Sequence, residues 1–252
     1  MSLYLSDFQQ RDYIDLCMKF QDNLRTAPDR KAALMYLKGR GFNWNIVDKF
    51  KIGWCPSDWN IRKELGSLKG RLIFPTIDEY GDVRGFSGRI LVSKEETKDD
   101  EKRWWNEPYN KTFFLYGLEQ ALPNIIKKNN VIVVEGQTDV ISCHMNGFDT
   151  VVGLMHDDLN IYQIAKLLRF TKNFILMLDG DKAGRKSTEN IINKRFMKKD
   201  GQVSIRIPGK KQIQVFDVNL ITNGEGYDPD SFLSKFGAEA LRDRLKKSLK
   251  NK

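Results

Sequence analysis

Apolar and polar residues alternate along this chain on two different periods, and the change between them falls near Asn129-Asn130. Over residues 6–25 the apolar positions Phe8, Ile14, Cys17, Phe20 and Leu24 recur at helical spacing, which predicts a helix. Asp29 stands where an N-cap belongs before RKAALMYLK, a second helix that Gly39 and Gly41 bring to a stop. Residues 71–75 and 83–89 flank the turn-rich Asp78-Glu79-Tyr80-Gly81-Asp82 and predict a β-hairpin, followed by a polar, acidic loop at 93–102. Beyond residue 130 the pattern becomes short apolar runs separated by helical stretches. Strands are predicted at 131–135, 150–154, 174–178 and 203–207, with a helix from Thr138 to Met145 after the first. That alternation signals βαβ units and a mostly parallel sheet. The carboxyl tail from Asp230 predicts helices bearing many lysines. The fold class is therefore α/β: a mixed α+β amino-terminal subdomain (1–129), a mostly parallel sheet flanked by helices (130–234) and a basic helical tail (235–252).

Two of the apolar runs end abruptly at a carboxylate followed by glycine: VIVVEGQTDV with Glu135-Gly136, and FILMLDGDKAG with Asp179-Gly180-Asp181. Continuous apolar runs of this length read as buried strands of a parallel sheet. Open α/β sheets place their sites outside the carboxyl ends of such strands. Three carboxylates delivered to one edge repel each other, and hard divalent cations with oxygen ligands relieve that repulsion. Glu135 has a second reading as a helix N-terminal acid, and Asp139, inside the helix, has structural capping or ion pairing beside metal support. Lys182, Arg185 and Lys186 either neutralise the acids or bind phosphate at a helix amino terminus.

Charge sharpens this picture. The net charge is +9, yet residues 131–181 hold 3 Lys+Arg against 7 Asp+Glu, leaving 39 against 26 elsewhere. An acidic centre inside a basic body suits an enzyme that handles nucleic acid or nucleotides, against the plainer reading of a lysine-rich solubilising surface. Three separated cysteines, Cys17, Cys55 and Cys143, fit a reducing cytoplasm and contain no Cys-x-x-Cys zinc ribbon. Neither a membrane span nor a secretory leader is expected from the apolar pattern.

The paired acidic signatures resemble the Toprim domain shared by bacterial-type primases, topoisomerases and several nucleases, and their wording is most similar to the primase branch. The resemblance continues upstream through FKIGWCPSDWN (50–60), GRLIFPTIDEYGDVRGFSGRIL (70–91), WWNEPYNK (104–111) and LYGLEQA (115–121), and downstream to Asp228-Pro229-Asp230. It covers residues 31–237. It implies catalytic roles for Glu135, Asp179, Asp181 and Lys111, with Glu135 as metal ligand or general base. It implies metal ligation by Glu135, Asp179, Asp181, Asp228 and Asp230 around two or more Mg²⁺ (or Mn²⁺) ions. Contacts to nucleotide or nucleic acid are implied for Arg89, Lys111, Arg103, Arg84, Arg71 and Lys49, and the phosphate-binding reading of Lys182 and Arg185 would add to them. The chain departs from the family after its second Toprim strand, where it reads Gly153-Leu154-Met155-His156-Asp157-Asp158. Trp104-Trp105 reads either as core or as a stacking surface for single-stranded bases.

The activity so implied is DNA-templated synthesis of short RNA primers by metal-dependent nucleotidyl transfer. The implied partners are a single-stranded DNA template, ribonucleoside triphosphates, a replicative helicase and a separate zinc-binding or helicase-interacting polypeptide. The expectation is a cytoplasmic enzyme, phage- or plasmid-encoded, without the zinc-binding domain that precedes such cores. A Toprim nuclease would use the same acids but leaves the upstream motifs unexplained. A non-catalytic Toprim scaffold would not need the full acidic set.

Overall fold

A computed structural model describes residues 7–91, 103–109, 111–156, 158–199, 202–204 and 213–250. The chain divides into two compact units, residues 1–110 and 111–252. This division lies upstream of the boundary expected at 129/130, because the 3₁₀ turn Lys111–Phe113 and the helix after it belong to the second unit. The predicted acidic loop at 93–102 lies outside the described residues.

In the first unit, helices α1 (Asp7–Thr26), α2 (Lys31–Gly39) and α3 (Trp44–Lys49) precede strand β1 (Gly53–Cys55). Strands β2 (Arg71–Ile77), β3 (Val83–Ile90) and β4 (Trp104–Asn106) complete an antiparallel sheet in the order β1-β2-β3-β4. The predicted hairpin is β2–β3, with Leu72 opposite Arg89 and Pro75 opposite Phe86. The helical stripe of α1 buries Leu16, Cys17, Phe20 and Leu24, and the first three join a core with Leu68, Ile73, Val83 and Phe86. Asp29 does not cap α2. Arg30 occupies the N-cap without a side-chain cap bond, and Asp29 instead accepts from Trp54 Nε1 at 2.8 Å and Ser57 N at 2.9 Å. A carboxylate here ties the helix start to β1.

The second unit contains α4 (Leu118–Lys128), β5 (Val131–Val134), α5 (Gln137–Met145), β6 (Val151–Gly153), α6 (Ile161–Leu167), β7 (Asn173–Leu176) and α7 (Lys182–Arg195). It continues with β8 (Met197–Lys199), β9 (Gln202–Ser204), β10 (Gln214–Asp217), β11 (Ile221–Thr222), β12 (Glu225–Gly226) and α8 (Pro229–Lys250). The four-stranded parallel sheet runs β10-β7-β5-β6. Strands β5 and β6 bury every residue of Val131–Val134 and Val151–Gly153, which explains their unbroken apolar runs. The chain leaves β5 toward β6 on one side and returns to β7 on the other, so the strand order reverses between β5 and β7. That reversal is the crevice where such sheets place ligands.

One expectation about the sheet needs correction. The described part of the strand predicted at 203–207 pairs antiparallel with β8 in a separate two-stranded sheet, with Lys198 opposite Val203. The fourth parallel strand is β10, an edge strand whose Val215, Phe216 and Asp217 are only half-buried, so it leaves no unbroken apolar run. The helices expected from Asp230 onward are found as α8, which belongs to the second unit. Helix α8 runs across a kink at Gly237 (φ 79°), buries Leu241 and Leu245 and packs on α5. Among the described residues, no helix is long and apolar enough to cross a membrane.

Candidate active site

Each strand flanking the reversal delivers one carboxylate. Glu135 follows β5 directly, and its backbone carbonyl accepts from Met155 N at 2.9 Å. Gly136 then caps α5, with its N–H held by Asp139 Oδ2 at 3.1 Å. Met177 N still bonds Val133 O at 2.9 Å, so two residues later Asp179 emerges beside Glu135. The Asp179 N–H donates to Glu135 Oε1 at 3.3 Å. Asp181 is the N-cap of α7, accepting from Gly184 N at 2.8 Å.

The third acidic pair arrives by a route invisible in local pattern. The β11–β12 hairpin lies directly on the Asp179–Asp181 backbone: Gly180 N donates to Tyr227 O at 2.9 Å. A Cβ on Gly180 would stand 2.9 Å from Tyr227 N and 3.0 Å from Leu220 O, and one on Gly226 would collide with the Gly180 carbonyl. Glycine at both positions permits this approach. Asp228 follows, its Oδ1 accepting from Ser231 N at 2.7 Å as α8 begins. Asp230 accepts from Ser142 Oγ on α5, and its N–H donates to Asp139 Oδ1 at 3.3 Å.

The result is one coupled acidic cluster. Burial, then Glu135, Asp228 and Asp181 in that order, push the Asp179 carboxyl up to about 7. Asp139, buried, is raised well above the carboxylate range by burial first and then by Asp228 and Asp179. The amino termini of α5, α7 and α8 all begin at this cluster, so three positive helix ends offset part of the repulsion. Asp179 Oδ1 is nevertheless buried without a hydrogen-bond partner. An orphaned carboxylate oxygen among mutually repelling carboxylates is a donor set that fits a hard divalent cation. Among the described residues, no three such side chains already converge as an ion would require; Oδ1 of Asp181 and of Asp228 is turned to a helix cap.

The basic residues divide by surroundings. Lys111, in the 3₁₀ turn opening the second unit, is half-buried, and burial alone lowers it from 10.5 to about 8. Lys182 is exposed at the start of α7. Arg185 is held by Asp217 at the end of β10 through two bonds of 2.9 and 2.6 Å. In the first unit, Lys49 and Arg103 are exposed. Arg89 is buried with its guanidinium over Tyr36 (5.0 Å) and Trp104 (5.2 Å). Arg71 donates to Ser67 O at 2.9 Å. Arg84 is buried in a double ion pair with Asp78 (2.6 Å) and Asp82 (2.7 Å) that closes the hairpin turn. Trp105 packs on the first unit's core and Trp104 on Phe74. His156 accepts from Asp158 N at 3.3 Å.

The sequence reading left out Ser142, Tyr227 and the hairpin at 221–226. Gly224 and Gly226 were the available signal, as glycines flanking a short polar turn before Asp-Pro-Asp.

The profile of the Toprim domain matches residues 129–207. The chain is 27% identical to a DNA primase of Enterococcus faecalis over 84% of its own length and 36% of that protein's. A crystal structure of a DNA primase domain from Pseudomonas aeruginosa superposes with a TM-score of 0.78 at 26% identity, covering 95% of this chain and 78% of the other. A DnaG primase catalytic domain bound to ssDNA gives 0.74 at 26% identity, covering 96% and 80%. The chain thus spans just over a third of the length of the curated relatives it matches. The parallel sheet with its acidic switch point is a Toprim domain. With the antiparallel unit before it, the chain is similar over nearly its whole length to the catalytic cores of DnaG primases.

Proposed function

We propose that this core joins ribonucleotides into short RNA primers on a single-stranded DNA template. The observation that carries the reading is the gathering of Glu135, Asp179, Asp181, Asp228 and Asp230 into one coupled cluster at the β5/β7 reversal. The primase family generally uses divalent metal ions. In this reading the five carboxylates hold two or more Mg²⁺ or Mn²⁺ ions, which when bound lower the charge on the triphosphate and acidify the attacking 3′-hydroxyl. Glu135, fixed by the Asp179 N–H, either ligates metal or accepts that hydroxyl's proton. Lys111 contributes a point charge to the transferring phosphoryl group, and Lys182 a second cation at the start of α7. Arg89, Arg103 and Lys49 bind nucleotide or template phosphates, a task supported by the ssDNA-bound relative. Arg71 and Arg84 support that surface from their internal bonds in the first unit, and Arg185, held by Asp217, adds a cation near the start of α7 in the second. The further partners in this reading are a replicative helicase and a separate zinc-binding or helicase-interacting polypeptide.

The test incubates the chain with single-stranded DNA, Mg²⁺ and labelled ribonucleotides. Short RNA products are expected. DNA fragments would make it a nuclease, and DNA binding without either product would make it a scaffold.

A further inference from the structure

The outer edge of the parallel sheet carries an aromatic pair that the acidic cluster does not use. Tyr116 bridges Gly153 in antiparallel sense at the end of β6. Residues 111–115 therefore run on past the carboxyl end of β6, the same edge from which Glu135 and Asp179 emerge. Two polar side chains at the start of α6, its N-cap Asn160 and Gln163, clamp this segment. Asn160 Nδ2 donates to Thr112 O at 2.9 Å, and Gln163 Nε2 donates to Phe114 O at 2.8 Å. Asn160 Oδ1 meanwhile caps the helix by accepting from Tyr162 N and Gln163 N. The clamp sets half-buried Phe113 against Tyr162, ring centroids 4.7 Å apart and planes inclined at 51°, so that Phe113 buttresses the Tyr162 ring, which stays 55% exposed. Lys111 stands two residues before Phe113.

A core aromatic would be covered; here the Tyr162 ring is exposed, and four hydrogen bonds hold the segment that carries Phe113 and the helix start that carries Tyr162, which makes the pair a fixed and accessible aromatic surface. We propose that Phe113 and Tyr162 form a stacking platform for the nucleobase of the incoming ribonucleotide whose phosphates meet Lys111. This rests on the primer-synthesis reading above. Stacking is indifferent to base identity, since every base has a π-face, so the platform would strengthen binding of all four nucleotides without reading sequence.

The test uses the full chain with Mg²⁺, the triphosphate of 2-aminopurine riboside and, as a probe without a base, inorganic tripolyphosphate. In the wild type the base fluorescence should be quenched on binding. Tyr162→Ala should weaken nucleotide binding about tenfold and abolish the quenching, with tripolyphosphate affinity and thermal midpoint unchanged. Tyr162→Phe should restore both, and Phe113→Leu should give an intermediate loss. If the wild type binds both probes and Tyr162→Ala leaves nucleotide affinity and quenching intact, the platform is refuted while the nucleotide site stands. If the wild type binds neither probe, both readings fall.

Discussion

The Asp179 N–H donates to Glu135 Oε1 at 3.3 Å, so one catalytic candidate's side chain fixes the other's backbone across the strand reversal. The same proximity makes Glu135 the largest charge acting on the Asp179 carboxyl, after burial. Attraction through the backbone and repulsion through the side chains thus coexist within one pair. A bound cation removes only the second.

That balance predicts the behaviour of Asp179→Asn. The amide keeps the shape, removes one charge and weakens the repulsion. Primer synthesis should fall by at least about a hundredfold. Without divalent ions the variant should melt about 2–4 °C higher, the shift expected for roughly 1 kcal/mol in a chain of this size. Added Mg²⁺ should raise the midpoint of the wild type and not of the variant. Full activity in Asp179→Asn would refute the assignment.

Lys111 gives a pH signature. Its folded-state pKa is about 8, below the ordinary 10.5. A lysine lowered in this way is less protonated in the folded than in the unfolded chain between those values, so its burial costs stability below pH 8. That cost fades as pH rises from about 8 to 10.5. Lys111→Met should therefore be the more stable protein at pH 7, with the difference closing toward pH 10.5 in thermal melts. Catalysis moves the opposite way. If the ammonium serves the phosphoryl group, kcat/KM should decline as pH rises through about 8, and Lys111→Arg, charged throughout, should lose that step. Lys111→Ala should lose about a hundredfold in synthesis, with template affinity far less changed.

The hairpin at 221–226 is tested through glycine. Gly180→Ala places a methyl 2.9 Å from Tyr227 N and 3.0 Å from Leu220 O, both backbone atoms that cannot rotate away. The hairpin must shift, carrying Asp228 from Asp179. A destabilisation of about 1–3 kcal/mol is expected, together with a loss of Mg²⁺-dependent stabilisation. Gly224→Ala controls for the substitution itself, because its Cβ meets nothing within 4 Å, although its φ of +82° adds local strain. If Gly180→Ala retains wild-type Mg²⁺ response, the hairpin does not position Asp228.

What could be read from the residues follows from how local each signal is. Glu135 and Asp179 were legible because buried parallel strands write their burial as unbroken apolar runs, and a carboxylate ending such a run is conspicuous. The link of Asp230 to Asp139 was not, because residues 91 apart in sequence leave no periodic trace of their hydrogen bond. Strand β10 escaped because its residues are exposed or half-buried and leave no unbroken apolar run like that of β5. Asp29 misled through its position alone. Its place before a helix matched a capping pattern, while Trp54 and Ser57, far along the chain, offered better donors. The lesson for basic residues is similar, since sequence counts charge without showing which arginines are already engaged.

That distinction supplies the last prediction. Arg84 and Asp78 are both nearly fully buried, at 5% and 3% side-chain exposure, and their 2.6 Å bond closes the hairpin turn. Removing one partner leaves an uncompensated buried charge, which costs about 3–5 kcal/mol. Arg84→Ala should therefore show its effect first as a lower thermal midpoint, with any loss of DNA binding tracking the unfolded fraction. Lys49 and Arg103 are exposed, and neutralising either should leave the melt unchanged. If they contact template phosphates, each change to Gln should weaken single-stranded DNA binding and reduce the slope of log affinity against log salt by about 0.7, the value for one phosphate contact on a single strand. Equilibrium binding at several salt concentrations, paired with thermal melts, separates the two classes. A reduced salt slope for fully folded Arg84→Ala would move Arg84 from the turn to the template surface.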